Sequence, residues 1–120
     1  MRVIRHIVLI NWLESASREN IDAWIDLCQR IPQECPMVCN WASSNGVSLA
    51  EPANVSTHAF CISFDLRSTE EWADYLKHPF PSRVYSEGTK VIDLNRTASA
   101  NMLVDCSTDR AVSMIRDGRV

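Results

Sequence analysis

The chain has 120 residues, 46% hydrophobic and 22% charged, which suffices for one buried core and excludes a disordered chain or two independent domains. Twelve Lys and Arg against fifteen Asp and Glu give a formal net charge of -3. With no basic run to compensate, that balance excludes a nucleic-acid footprint.

Val3 to Trp12 is rich in β-branched and aliphatic residues and reads as a buried first strand, with His6 on the face of Ile4, Val8 and Ile10. Ser15 and Ser17 offer N-caps to a helix whose apolar stripe is Ile21, Trp24, Ile25, Cys28 and Ile31. Asp22, Asp26, Gln29 and Arg30 take its opposite face, and Pro32 helps to end it. Met37 to Trp41 carries a short strand signal running on towards Val47 and Leu49, interrupted at Ser43-Ser44-Asn45-Gly46. Glu51 to Asn54 reads as loop.

Thr57 to Asp65 alternates cleanly, with His58, Phe60, Ile62 and Phe64 on one side and the small residues Ala59, Cys61 and Ser63 on the other. Ser68-Thr69-Glu70-Glu71 is a capping box for a second helix that turns Trp72, Tyr75 and Leu76 inward and stops at His78 before Pro79. Pro81 marks a third helix, with Val84 and Tyr85, that Gly88 breaks. Thr97 to Asn101 reads as a polar connector and Met102 to Cys106 as the last strand. Residues 1–108 form the predicted domain, and 109–120 a tail expected to fray.

Cys28, Cys35, Cys39, Cys61 and Cys106 contain no Cys-x-x-Cys pair, and an odd number cannot close fully into disulfides, so free thiols are expected. Nor is there an HExxH pattern, so no metal site is expected. Charges within Met1 to His6 and a longest apolar run of only Ile7 to Ile10 argue against a signal or a membrane span, and for a soluble cytoplasmic protein.

The order β-α-β-β-α-(α)-β is the ferredoxin-like plan: α+β, a four-stranded antiparallel sheet with helices on one face. The opposite face is left uncovered, which predicts a symmetric homodimer through it.

Arg5-His6-Ile7-Val8-Leu9, Thr57-His58-Ala59-Phe60, Tyr75-Leu76-Lys77-His78-Pro79 and Leu103-Val104-Asp105 stand in that order between Arg2 and about Cys106. Together they resemble the stress-responsive dimeric α/β-barrel (Dabb) family. The resemblance implies ferredoxin-like βαββαβ subunits pairing sheet to sheet as a dimeric α+β barrel. It also implies polyketide-cyclase or hydroxynitrile-lyase chemistry without metal or organic cofactor, or a stress-associated role with no known reaction. By position it implies acid–base roles for His6, His58, Tyr75 and His78. A second family histidine falls on Pro81 and a helix-one tyrosine on Trp24, each removing a proton-transfer group.

With strands ordered 4-1-3-2, His6 lies opposite Phe64, while His58 begins strand three about 20 Å away. The second helix is expected to return to the level of His58, so that His58, Tyr75 and His78 converge and His6 stands apart. Trp24, Phe60, Ile62, Trp72, Val84 and Tyr85 would wall an apolar pocket between sheet and helices. The expected function is a cofactor-independent lyase or cyclase using His/Tyr general acid–base chemistry on a small polyketide-like or cyanohydrin-like carbonyl compound. The alternative is a non-catalytic, stress-associated dimeric module that binds an apolar or aromatic small molecule.

Overall fold

The computed structural model describes residues 2–48 and 56–105 of the chain. Its elements run β1 (Arg2–Ile10), α1 (Arg18–Cys28), the single turn α2 (Ile31–Glu34), β2 (Cys39–Asn45), β3 (Phe60–Leu66), α3 (Thr69–Lys77), α4 (Pro79–Gly88) and β4 (Ala98–Asp105). One four-stranded sheet has the order β2-β3-β1-β4, antiparallel throughout. This is the ferredoxin-like α+β fold that the order of elements predicts.

Local chemistry sets the helix boundaries. Ser17 caps α1 by accepting from the Asn20 amide at 3.1 Å. Ser68 caps α3 by accepting from the Glu71 amide at 3.1 Å, while the Glu71 carboxylate reaches one residue further back than a capping box requires, to the Arg67 amide at 2.9 Å. His78 ends α3 and starts α4: its extended backbone (φ -67°, ψ 136°) breaks the helix, and its Nδ1 accepts from the Phe80 amide at 3.1 Å. α4 therefore begins at Pro79, two residues before the predicted start, because a proline at the first helical position has no amide to leave unpaired.

The sheet's inner face and the helices share one core. Ile10, Phe60, Ile62, Phe64 and Leu66 pack against Ile21, Trp24 and Cys28 of α1, Tyr75 of α3, and Phe80 and Val84 of α4. Each fully buried side chain of this size stabilises the fold by roughly 1.5–3 kcal/mol relative to exposure.

Three expectations are corrected. β3 starts at Phe60 rather than Thr57, so His58 belongs to the approach to the strand and not to its alternating face. β1 ends at Ile10, and Trp12 contributes only an isolated bridge to Ile92. Ala98 to Asn101, read as connector, is strand: pairing of Ala98–Asp105 with β1 overrides the weak β-propensity of those residues. Cys106, the loop Glu51 to Asn54 and the tail 109–120 lie outside the described residues. Among those described, Cys28, Cys35, Cys39 and Cys61 are free thiols, and no helix is long and apolar enough to cross a membrane.

Candidate functional site

A cleft of about 190 Å³ lies between the sheet and the helices. Its floor is His6, Val8 and Ile10 of β1 with Ile62 and Phe64 of β3. Trp24 and Cys28 of α1, Tyr75 of α3, and Val84, Tyr85 and Gly88 of α4 close it from above. At His6, Tyr75, Pro81 and Tyr85 it meets an outer groove of about 430 Å³, where Trp72, Leu76 and Ser82 are added. The inner volume falls below the roughly 300–1,000 Å³ of drug-sized pockets, which restricts that lobe to small groups.

Four rings close a circuit at the junction. His6 meets Phe64 edge-on at 5.3 Å between centroids, Phe64 meets Tyr75 at 5.2 Å, Tyr75 stacks on Trp72 at 5.6 Å, and Trp72 returns to His6 at 4.9 Å. Such contacts hold aromatic planes in place beyond the effect of area burial alone. On its remaining side the imidazole Nδ1 lies 2.7 Å from Asn101 Oδ1, since Asn101 is the β4 partner of His6. Burial, reinforced by the neighbouring Cys35 and Cys28, pushes the Tyr75 phenol above its ordinary value, so it stays a protonated donor. Burial likewise pushes the Cys28 thiol up to about 12, leaving it neutral in the cleft wall.

The other expected wall residues divide. Trp24, Ile62, Val84 and Tyr85 line the cleft, and Trp72 lines the outer groove. Phe60 is buried in the core against Trp12 and does not line the cleft. The Trp24 indole donates to the Val84 carbonyl at 3.0 Å, which fixes the side chain and occupies its one N–H.

The expected convergence of His58, Tyr75 and His78 does not occur. His6 shares the cleft with Tyr75, whereas His58 and His78 do not line it. The cause is rise per residue: the six residues from Thr69 to Tyr75 climb only about 9 Å as helix, while strand covers that distance in about three residues. Tyr75 therefore sits over Phe64, the register partner of His6, and never reaches the level of His58. His58 instead stays beside the Thr57 hydroxyl at 3.0 Å, and His78 faces Cys35 Sγ at 3.8 Å while capping α4.

Sequence reasoning missed Trp41, Phe64 and Asn101. Trp41 lines the cleft and stacks on Phe64 at 5.7 Å because an irregularity between Cys39 and Ala42 resets the faces of β2. Its signal is Asn40, which takes a φ of 53°, a conformation asparagine tolerates better than most residues. Asn101 carried no signal beyond its polarity. Among the described residues, no group of three or more His, Cys, Asp and Glu is placed to hold a metal ion.

No family model and no curated protein matches the chain by sequence. Solved structures match its fold. A dimeric ferredoxin-like protein of unknown function from Thermobifida fusca superposes with a TM-score of 0.71 at 18% identity, covering 86% of this chain and 92% of that one. A hydroxynitrile lyase from Passiflora edulis gives 0.72 at 15% identity, covering 88% and 95%. A Dabb-family protein with a ferredoxin-like fold from Mesorhizobium loti gives 0.66 at 13% identity, covering 89% and 100%. The fold is thus shared with dimeric ferredoxin-like proteins, a Dabb protein among them, as the sequence motifs suggest.

Proposed function

We propose that the cleft binds a small carbonyl compound, or its cyanohydrin-like or polyketide-like precursor, and that His6 and Tyr75 act on it as a cofactor-independent lyase or cyclase. The observation that carries this reading is one apolar cleft lined by both an imidazole and a buried phenol held in its protonated form. Imidazole exchanges protons near neutral pH, and a phenol donates to oxygen as negative charge develops there. The lining is mostly apolar, and hydrogen bonds formed against it gain strength where a bound compound excludes water. In a cyanohydrin cleavage, His6 takes the hydroxyl proton as the carbon–carbon bond to cyanide breaks. The carbonyl forms against Tyr75, and cyanide leaves with the proton. The lyase from Passiflora edulis shows that a chain of this fold supports such an activity in that protein.

The sheet's outer face fits a homodimer. Ala42, Ser44, Cys61, Ser63, Ala98 and Ala100 are small residues on one face of the sheet, allowing a second sheet to approach closely. Several solved proteins of this fold are described as dimeric.

A second reading, a non-catalytic module binding an apolar small molecule, is favoured by Pro81. It lines the cleft where the family resemblance places a second histidine, so one proton-transfer group is missing. Assaying cyanide release from aromatic cyanohydrins and ring closure of polyketide fragments separates the two. Turnover that His6→Ala and Tyr75→Phe each reduce by about 10²-fold or more supports the enzyme; saturable binding without turnover supports the module.

A further inference from the structure

The His6 ring makes one hydrogen bond among the described residues, to the Asn101 side chain. The atom facing Nδ1 at 2.7 Å is the amide oxygen of Asn101, which has lone pairs and no proton. With the amide oxygen of Asn101 turned towards it, Nδ1 is the donor, since two acceptors at that distance would repel. Neutral imidazole has one N–H, and Nε2 is therefore left with its lone pair.

The contact is fixed from both sides. Asn101 and His6 are register partners in the β1–β4 ladder, with Ile4–Leu103 and Val8–Ser99 flanking them on the same face. Phe64 and Trp72 hold the ring plane, at 5.3 and 4.9 Å. Rotation that would exchange the two nitrogens loses the bond to Asn101. Neither Phe64, Trp72 nor Asn101 has a group that titrates, and Tyr75 keeps its proton.

We propose that Asn101 is a positioning residue: it holds His6 in the Nδ1–H form and so makes Nε2 the proton acceptor of the cleft. When Nε2 takes a proton, the ring becomes an imidazolium whose Nδ1–H still donates to Asn101. The same proton leaves from Nε2 to the departing group, and the ring returns to its starting form with nothing else exchanged. A neutral amide serves this cycle by orienting the base in both states without holding the added proton as a carboxylate would. The proposal rests on reading His6 as the base of the cleft, yet its tautomer is measurable with no substrate present.

Long-range proton–nitrogen NMR correlation on 15N-labelled protein distinguishes the two ring nitrogens, with His6→Gln assigning the signals. At a pH where the ring is neutral, the wild type is expected to show a protonated Nδ1 and an unprotonated Nε2. Asn101→Ala should move His6 towards the Nε2–H form, and Asn101→Asp, which keeps an acceptor in place, should restore Nδ1–H. Asn101 is exposed, and unchanged melting of each variant checks that the fold is intact. Should a compound be turned over, Asn101→Ala should lower kcat by up to about 10²–10⁴-fold, the whole worth of a general base, with KM little changed. An Nε2–H wild type, or a tautomer indifferent to Asn101→Ala, overturns the proposal. A locked Nδ1–H form without any ligand binding supports the lock and counts only against the function proposed for the cleft.

Discussion

Arg5 and Asp65 face each other across the β1–β3 ladder, and the guanidinium fork takes both carboxylate oxygens, Nε to Oδ1 at 2.8 Å and Nη2 to Oδ2 at 3.0 Å. Asn40 adds a third bond to Oδ2 at 2.7 Å, from the position where β2 is irregular. Asp65 is fully buried, so its charge is tolerated only because these donors replace water.

Hydrogen bonds from Arg5 outweigh the opposing effect of burial, and with Asn40 they hold the Asp65 carboxyl below its usual range. A lowered folded-state value means the stabilisation is complete above the ordinary carboxylate pKa of about 4 and is lost as pH falls through the lowered one. Asp65→Asn should therefore cost about 1.5–3 kcal/mol near neutrality, read by urea unfolding. The gap between the two proteins should narrow below about pH 4; a gap that stays constant contradicts the assignment.

Tyr75→Phe removes only a hydroxyl, so packing with Trp72 and Phe64 survives and the melting temperature should change little. Any turnover should fall about 10²–10³-fold, the worth of one donor to a developing oxyanion. Because the phenol sits above its ordinary value of 10, an ultraviolet titration should show a tyrosine ionising only beyond that pH. That signal should vanish in Tyr75→Phe.

Two glycines rank by the space around them. A Cβ at Gly46 would overlap the His58 carbonyl oxygen, which is backbone and must be displaced. At Gly88 it would meet Trp24 Nε1 at 3.0 Å and Ile92 Cδ1 at 3.1 Å, and the indole is held by its bond to Val84. Alanine normally favours a helix over glycine by about 0.8–1.0 kcal/mol, but crowding opposes this at Gly88. Gly88→Ala is expected to destabilise by about 1 kcal/mol and Gly46→Ala by more, measured by denaturant unfolding. Equal or reversed effects would contradict the packing described.

Ala100 lies on the sheet's outer face beside Ile7. If a second copy covers that face, Ala100→Glu places a charge in the interface, and sedimentation should report monomers in place of dimers. A dimer that persists unchanged would locate the interface elsewhere.

Much of this fold was legible because β-strand pairing follows from alternation and antiparallel order: the placing of His6 opposite Phe64 needed only strand order and direction. Helix limits were legible at Ser17, Ser68 and His78 because each is a capping residue next to a breaker or a charged first turn. The candidate site was read less well. A helix and a strand of equal residue count differ more than twofold in length, and that ratio moved Tyr75 from His58 to His6. The Asp65 cluster was invisible because an aspartate at a strand end looks like the start of a turn. Its partners Arg5 and Asn40 lie 60 and 25 residues away in the chain.

The most direct test of the account is ligand-induced thermal shift with aromatic acids, polyketide fragments and cyanohydrins, run on wild type, His6→Ala, Tyr75→Phe and His58→Ala. Saturation at 100 times Kd adds about 2.7 kcal/mol of stability. A small carbonyl compound or cyanohydrin is expected to shift the wild type, His6→Ala and Tyr75→Phe to weaken the shift, and His58→Ala to leave it intact. A shift abolished by His58→Ala but untouched by His6→Ala would contradict this expectation.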